Sequence, residues 1–347
     1  MPNLWGQTYT RSDLLRRVGD LRQLAGVRPF ELSDGRERGV RCFRMRNAVG
    51  LEFTVAADRG LGIYDLQFQG VPLSFITPAG VVHPSFAEQA GLGWLRTWPG
   101  GFSTPCGLTQ VGSPCNDRGE ELGLHGRVSN LPAEQVRWGG EWHSDDYVLW
   151  VEGTVRQSTV RGENLLMQRR IWTKIDDPRL WIEDRIENQG DAPAPLMFLQ
   201  HFNLGFPLVD ATARLELPPH TTEPRDEVAR AGLDRCCEFV EPEAAYEEQV
   251  FYHDLQPDRS GAVEVRLVNP AFKAQRGLGL GLRYSKAAYP ILVQWKMMRD
   301  GCYVVGLEPA NCHVEGRCAE RERGTLQILE PHNARTFGIE VVFFNQP

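Results

Sequence analysis

The chain has 347 residues, of which 41% are hydrophobic and 24% charged, and it carries a net charge of −7. This composition excludes a disordered or low-complexity protein, and the length is ample for a sizeable core without metal or disulfide support. The mild acidity leaves no basic footprint for nucleic acid and no polybasic patch for a membrane surface.

Thr10 and Asp13 form a capping pair ahead of Leu14, Leu15, Val18, Leu21 and Leu24. That spacing predicts a helix ending near Gly26, so residues 1–30 are expected as a helical appendage on one domain spanning 1–347. From Val40 the apolar period shortens to two. The segments 40–45, 51–55, 61–68 and 70–76 read as short strands, with a turn at Asn47–Gly50. The same rhythm returns at 147–155, 165–172, 180–187, 263–267, 291–296, 303–308 and 336–344. Many short strands with polar turns and almost no long helix predict an all-β sandwich or barrel.

Two stretches interrupt the rhythm. Residues 77–124 hold a short helical signal at 85–90 and then a run rich in Gly, Pro and Ser. Long irregular segments inside compact domains are often functional. Residues 218–248 are acidic, with prolines at 218, 219, 224 and 242, and read as a surface excursion or lid.

No run of about 18 apolar residues is present, so no membrane-spanning helix is expected. Met1 to Tyr9 lacks the basic-then-apolar pattern of a secretory leader. Eight cysteines occur without a CxxC pair, which reads as reduced thiols in a cytoplasmic protein. There is no HExxH, no P-loop, no dinucleotide fingerprint and no nucleophile elbow, so no metal and no cofactor is expected.

Three clusters carry candidate chemistry. In the first, Gly123 and Gly126 flank His125, and Arg127 follows. Small neighbours allow close approach to a ligand, and a guanidinium offers several donors to hydroxyls. The same residues also suit a turn with a structural histidine. In the second, His201 and Asn203 stand two apart, on one side if the segment is a strand. Imidazole exchanges protons near neutrality, although a core histidine with an amide partner is equally readable. In the third, Gln294-Trp295-Lys296 precedes an apolar strand that ends at Glu308-Pro309. A carboxylate there must line a cavity or be paired, with Arg59 and Arg127 as candidate partners, because an unpaired buried charge is costly.

Taken together, Gly100 to Leu108, Leu124-His125-Gly126-Arg127, His201 to Pro207 and Gly306-Leu307-Glu308-Pro309-Ala310 resemble the galactose mutarotase-like superfamily, in its aldose 1-epimerase-like bacterial branch. The resemblance implies a large antiparallel β-sandwich with a short N-terminal helix that binds a monosaccharide or sugar derivative. It implies His201 as general acid and Glu308 as general base, with His125 helping to hold the sugar. Arg59, Arg127, Asn203, Gln294 and Lys296 are expected as further substrate-binding groups, and they also suit a substrate with a charged substituent. Trp94, Trp98 and Trp295 are candidates to stack on a sugar ring or to fill core. The chain departs from the well-known mutarotases in lacking their Asn-Arg-Ile stretch and a clear counterpart of their Phe-Asp sugar clamp. The implied activity is interconversion of sugar anomers. The same acid/base pair also fits an isomerase, an epimerase at another carbon or a lyase, and the scaffold also fits a non-catalytic sugar-binding module.

Overall fold

The computed structural model describes residues 1–272 and 277–345. Two antiparallel sheets face each other across one apolar layer. The larger has eleven strands and runs from His220–Pro224 at one edge through Gln249–Leu255, Ile291–Arg299, Cys302–Ala310, Met197–Gly205 and Ser103–Leu108. It continues through Gly62–Phe68, Leu51–Ala56 and Arg41–Arg46 to Gly26–Glu31, with Val71–Pro72 paired to the side. The second sheet has eight strands, in the order Glu134–His143, Asp146–Ser158, Asn164–Lys174, Arg179–Asn188, Ala334–Phe344, Leu278–Ser285, Ala262–Asn269 and Arg214–Glu216. The all-β sandwich expected from the strand rhythm is therefore present.

Alternation along the strands sorts side chains between the faces. Phe198, Phe202, Leu204, Leu292 and Leu307 from the larger sheet meet Ile171, Ile182, Ile339 and Val341 from the second in the inter-sheet core. Within that layer Arg169 and Asp184 are each 1% exposed and form a two-pronged pair at 2.6 and 2.7 Å. The guanidinium also donates to Gln200 Oε1 at 2.6 Å, which ties the pair to the larger sheet. The Asn47–Gly50 turn is anchored in the same way. Asn47 Oδ1 accepts from the Val49 and Leu51 amides, while its Nδ2 donates to the Lys174 and Asp177 carbonyls.

The N-terminal helix is shorter than its leucine spacing predicts. The Thr10–Asp13 capping box forms, but the helix covers only Arg11–Leu15. Gly19 interrupts it, and the Asp20 carboxylate caps a separate single turn at Leu21–Gln23. Gly26–Glu31 then pairs with Arg41–Arg46 as an edge strand, so the end of this region is part of the sheet. Leu278–Ser285 escaped the strand pattern because glycine alternates with leucine there. A Cβ on Gly279 would collide with the ring of Phe344 on the neighbouring strand.

On the inner face of the larger sheet, His253 is fully buried between Gln294 Oε1 at 2.9 Å and Thr222 Oγ1 at 2.8 Å. Burial pushes its pKa down to about 4, whereas an unfolded histidine titrates near ~6.5. The folded state therefore binds fewer protons than the unfolded chain below about pH 6.5, and stability falls as pH drops toward 4. The full loss attributable to this residue is about 3 kcal/mol. Chemical denaturation across that range is expected to show a shallower acid slope for His253→Gln than for the wild type. An unchanged slope would remove His253 as a contributor.

Candidate functional site

The site lies on the face of the larger sheet turned away from the second sheet. There an outer cluster, including Trp98, Met197, Leu199, Val250, Val293 and Val314, forms its own apolar floor. Above this floor is a cavity of about 310 Å³ whose lining includes His125, His201 and Glu308.

Strand register places the two central groups. His201 and Asn203 share a face of Met197–Gly205, as the two-residue spacing predicts, while Gln200 and Phe202 point inward. Phe202 pairs with Leu307 and Asn203 with Gly306, which sets the end of Cys302–Ala310 beside His201. His201 Nε2 lies 3.1 Å from Glu308 Oε1, with side chains only 5% and 3% exposed. The approach is out of line for a hydrogen bond, which leaves Glu308 Oε1 buried without a hydrogen-bond partner; the other ring nitrogen, His201 Nδ1, is also buried and unpartnered. The partner of Glu308 is thus His201, and neither Arg59 nor Arg127 reaches it.

Burial dominates the electrostatics. It pushes the Glu308 carboxyl well above the usual carboxylate range, and Glu248 adds in the same direction. It pushes the His201 imidazole well below its usual value, and His125 adds to that effect. Both shifts disfavour the charged forms, so burial favours a neutral carboxyl beside a neutral imidazole.

Gly306 makes the pairing possible. A Cβ there would run into Glu308 Oε1 and stand 3.1 Å from both His201 Cε1 and Trp295 Cβ. Gly306→Ala should displace the carboxyl from the imidazole. Misplacement of about 1 Å is worth roughly 10²-fold in rate, while overpacking costs about 1–3 kcal/mol. A melting curve measured beside the turnover rate separates the two effects. Full activity in a folded Gly306→Ala protein would show that the close pairing is dispensable.

His125 sits on a loop laced to its surroundings by backbone bonds. Its amide donates to the Gly112 carbonyl, its carbonyl accepts from Gly107, and the Arg127 amide donates to the Gly107 carbonyl. Gly126, at φ +72°, has the Gln110 and Gly107 carbonyls where a Cβ would stand. The His125 ring is 4.7 Å from Trp94 and 5.7 Å from His201, its Nδ1 is unpartnered, and enclosure lowers its pKa to about 4. Trp94 stacks on Trp98 at 5.0 Å, and Trp98 and Trp295 flank the His201 ring at 5.4 and 5.8 Å. All three tryptophans line the cavity.

Other expected binders stand elsewhere. Arg59 is buried, but its guanidinium donates to the Val82 and Thr97 carbonyls at 2.8 Å and holds the irregular 77–124 stretch in place. Arg127 is half-buried on the loop after His125, outside the cavity lining. Asn203 is enclosed beside His201 and donates to the carbonyls of Gly100 and His201. On Ile291–Arg299 it is Val293 and Trp295 that face the cavity. Gln294 and Lys296 face inward, donating to the carbonyls of Cys236 and Arg235.

Two charged lining residues went unrecognised in the sequence, Arg225 and Glu248, both from the 218–248 excursion. Arg225 bonds Asp226 at 2.8 Å and Glu248 at 3.0 Å, and Glu248 accepts from Trp295 Nε1 at 3.0 Å. The acidic, proline-rich character of the segment was its only signal. Among the described residues, no group of three or more His, Cys, Asp or Glu side chains is arranged to hold a metal ion. All eight cysteines are free, and no described helix is long and apolar enough to cross a membrane.

The family model described as "Domain of unknown function (DUF4432)" matches residues 37–342. The chain belongs to the DUF4432 family. No match is found among curated proteins. Among solved structures, a "putative aldose 1-epimerase" from Klebsiella pneumoniae subsp. pneumoniae aligns with a TM-score of 0.88 at 24% identity, covering 96% of this chain and 86% of that one. A galactose mutarotase-like protein from Clostridium acetobutylicum gives 0.60 at 13% identity, over 92% and 98% of the two chains. The GalM/aldose epimerase homologue from C. elegans gives 0.56 at 15%, over 88% and 98%. At such identities the likeness is one of fold. This DUF4432 chain has the galactose mutarotase-like fold, as the resemblance of its motifs implied.

Proposed function

We propose that the protein is an aldose 1-epimerase, interconverting sugar anomers through His201 and Glu308. The observation that carries this reading is the buried pair of these two side chains on the floor of an aromatic-walled cavity.

The chemistry needs one proton held by two groups. Glu308 as carboxylate takes the proton of the anomeric hydroxyl, and the O–H electrons form the carbonyl as the bond from carbon 1 to the ring oxygen breaks. His201 Nε2 gives its proton to that ring oxygen. The pair is then a neutral acid beside a neutral imidazole, the form that burial favours. The open-chain aldehyde turns about its bond to carbon 2, and reversal of both transfers closes the other anomer. A hemiacetal carries both oxygens on one carbon, so neighbouring groups serve both transfers. No covalent intermediate is required.

The test is anomer exchange by NMR over a panel of aldoses in deuterated buffer. Accelerated exchange without deuterium on carbon is expected. Deuterium appearing on a sugar carbon would move the assignment to an isomerase or epimerase, and binding without any rate effect to a sugar-binding module. The pH–rate profile should be a broad bell. Its acid limb, where His201 gains a proton while Glu308 keeps its own, falls below the ordinary imidazole range. Its alkaline limb, where the pair loses its last proton, lies above the ordinary carboxylate range. A rate that rose with a single ordinary carboxylate titration would contradict proton sharing.

A further inference from the structure

The walls of the cavity describe the sugar. We propose that the site takes an uncharged aldose poor in hydroxyls, a deoxy or methyl-bearing sugar, and rejects acidic sugars and sugar phosphates; this rests on the aldose reading above.

The first argument is a count of polar partners. A hexose carries hydroxyls around its whole ring, and each one taken from water needs a partner in the site. Among the described residues lining the cavity, the buried unpartnered side-chain polar atoms are Trp98 Nε1, His125 Nδ1, His201 Nδ1 and Glu308 Oε1. The last two belong to the groups that exchange protons at the anomeric centre. Of the other polar side chains in the lining, Trp94 and Trp295 donate to Ser129 and Glu248 and Arg225 is paired with Glu248, which leaves Trp98, His125 and the Ser113 hydroxyl for the rest of the sugar. Gln294 and Lys296, the natural hydroxyl binders on the adjacent strand, are turned inward. In their places Val293 stands directly across from Glu308 on the neighbouring strand, and Val250 stands across from Trp295.

The second argument is the mouth. Leu92 and Leu95 line the cavity yet are 60% and 50% exposed, so the entrance is apolar as well as the walls. The opposite lip holds the cation Arg225, but it is already matched by Asp226 and Glu248. One guanidinium against two carboxylates, with Glu308 on the floor, gives an incoming anion no net attraction. Arg59 and Arg127, which would have suited an anionic substituent, stand outside the cavity lining.

A pocket that lacks partners for a hydroxyl discriminates against it by roughly 10–200-fold. The experiment measures catalysed anomer exchange at equal concentration for matched pairs: fucose with galactose, quinovose with glucose, rhamnose with mannose and 2-deoxyglucose with glucose, with glucuronate and glucose 6-phosphate added. In at least one pair the deoxy member should be faster by about 10-fold or more, and the acidic sugars should be inert. Equal or greater rates for every parent hexose, or turnover of an acidic sugar, would overturn the proposal and leave the epimerase reading intact. Should no sugar exchange faster, thermal-shift binding of the same panel decides. Preferential binding of a deoxy sugar keeps the substrate class and removes the reaction; no binding removes both. Val293→Thr puts a hydroxyl on the wall beside Glu308 and should shrink the deoxy preference by roughly 10-fold, while Val293→Ile retains it. If Val293→Thr does not fold, Leu95→Gln at the exposed mouth makes the same comparison, and an unchanged preference there would count against the proposal.

Discussion

Glu308→Gln is expected to lower catalysed anomer exchange by about 10²–10⁴-fold while leaving sugar binding within a few-fold of the wild type. The amide keeps the shape of the carboxyl but cannot receive and return a proton, so the pair loses the tautomer that starts the cycle. In the proposed cycle His201 and Glu308 exchange one shared proton, so their effects should not multiply. His201→Gln alone should cost about as much, and the double variant little more, as is usual for residues that act as a unit. Independent, multiplicative losses would mean two separate proton carriers. The same variant should gain stability at neutral pH. The folded pKa of Glu308 is raised above its unfolded value, so above that value the folded state binds more protons than the unfolded chain. Stability therefore declines as pH rises toward the folded pKa, and Gln removes that decline. Urea unfolding of both proteins at pH 5 and 8 reads the difference. A variant that is inactive and no more stable would place the carboxyl in a wetter setting than the one described.

Asp184→Ala is expected to cost about 3–5 kcal/mol, because it leaves the Arg169 guanidinium buried without its carboxylate. Both side chains are only 1% exposed, and the remaining contacts of the cation are Gln200 Oε1 and the Leu61 carbonyl. Replacing both partners, with Arg169→Met and Asp184→Leu, should recover most of the loss, since a buried pair is often no better than apolar packing of similar volume. A single-variant loss below about 1 kcal/mol, read by urea unfolding, would show that water reaches the pair. Gln200 is the residue before His201, so the single variant also tests whether the inner face of this strand steadies the outer one. A fall in turnover larger than the unfolded fraction explains would show that it does.

How much of this was legible in the sequence follows from the range of the forces involved. Alternation is local, so the strands from residue 40 onward and the shared face of His201 and Asn203 could be read directly. The helix failed locally too: Gly19 and the Asp20 cap outweighed the leucine spacing. Gln294 and Lys296 looked like site residues because they are polar, but which face of Ile291–Arg299 sees the cavity is fixed by its pairing with Cys302–Ala310. Val293 stands opposite Glu308, so the odd-numbered residues share its face. Register between distant segments is not written in either segment alone. Arg225 and Glu248 were invisible for the same reason, since nothing local says where an irregular excursion comes to rest. The leucine-and-glycine strand at Leu278–Ser285 was hidden because its glycines answer to a ring on another strand.

The floor of the cavity and the inter-sheet core are separate apolar clusters on opposite faces of the same strands. Along Ile291–Arg299, Val293 and Trp295 belong to the pocket, while Leu292 and Met298 belong to the core. Neighbouring positions in one strand therefore answer to different packing constraints. Changing alternate residues can reshape the cavity lining while the sandwich beneath it stays intact.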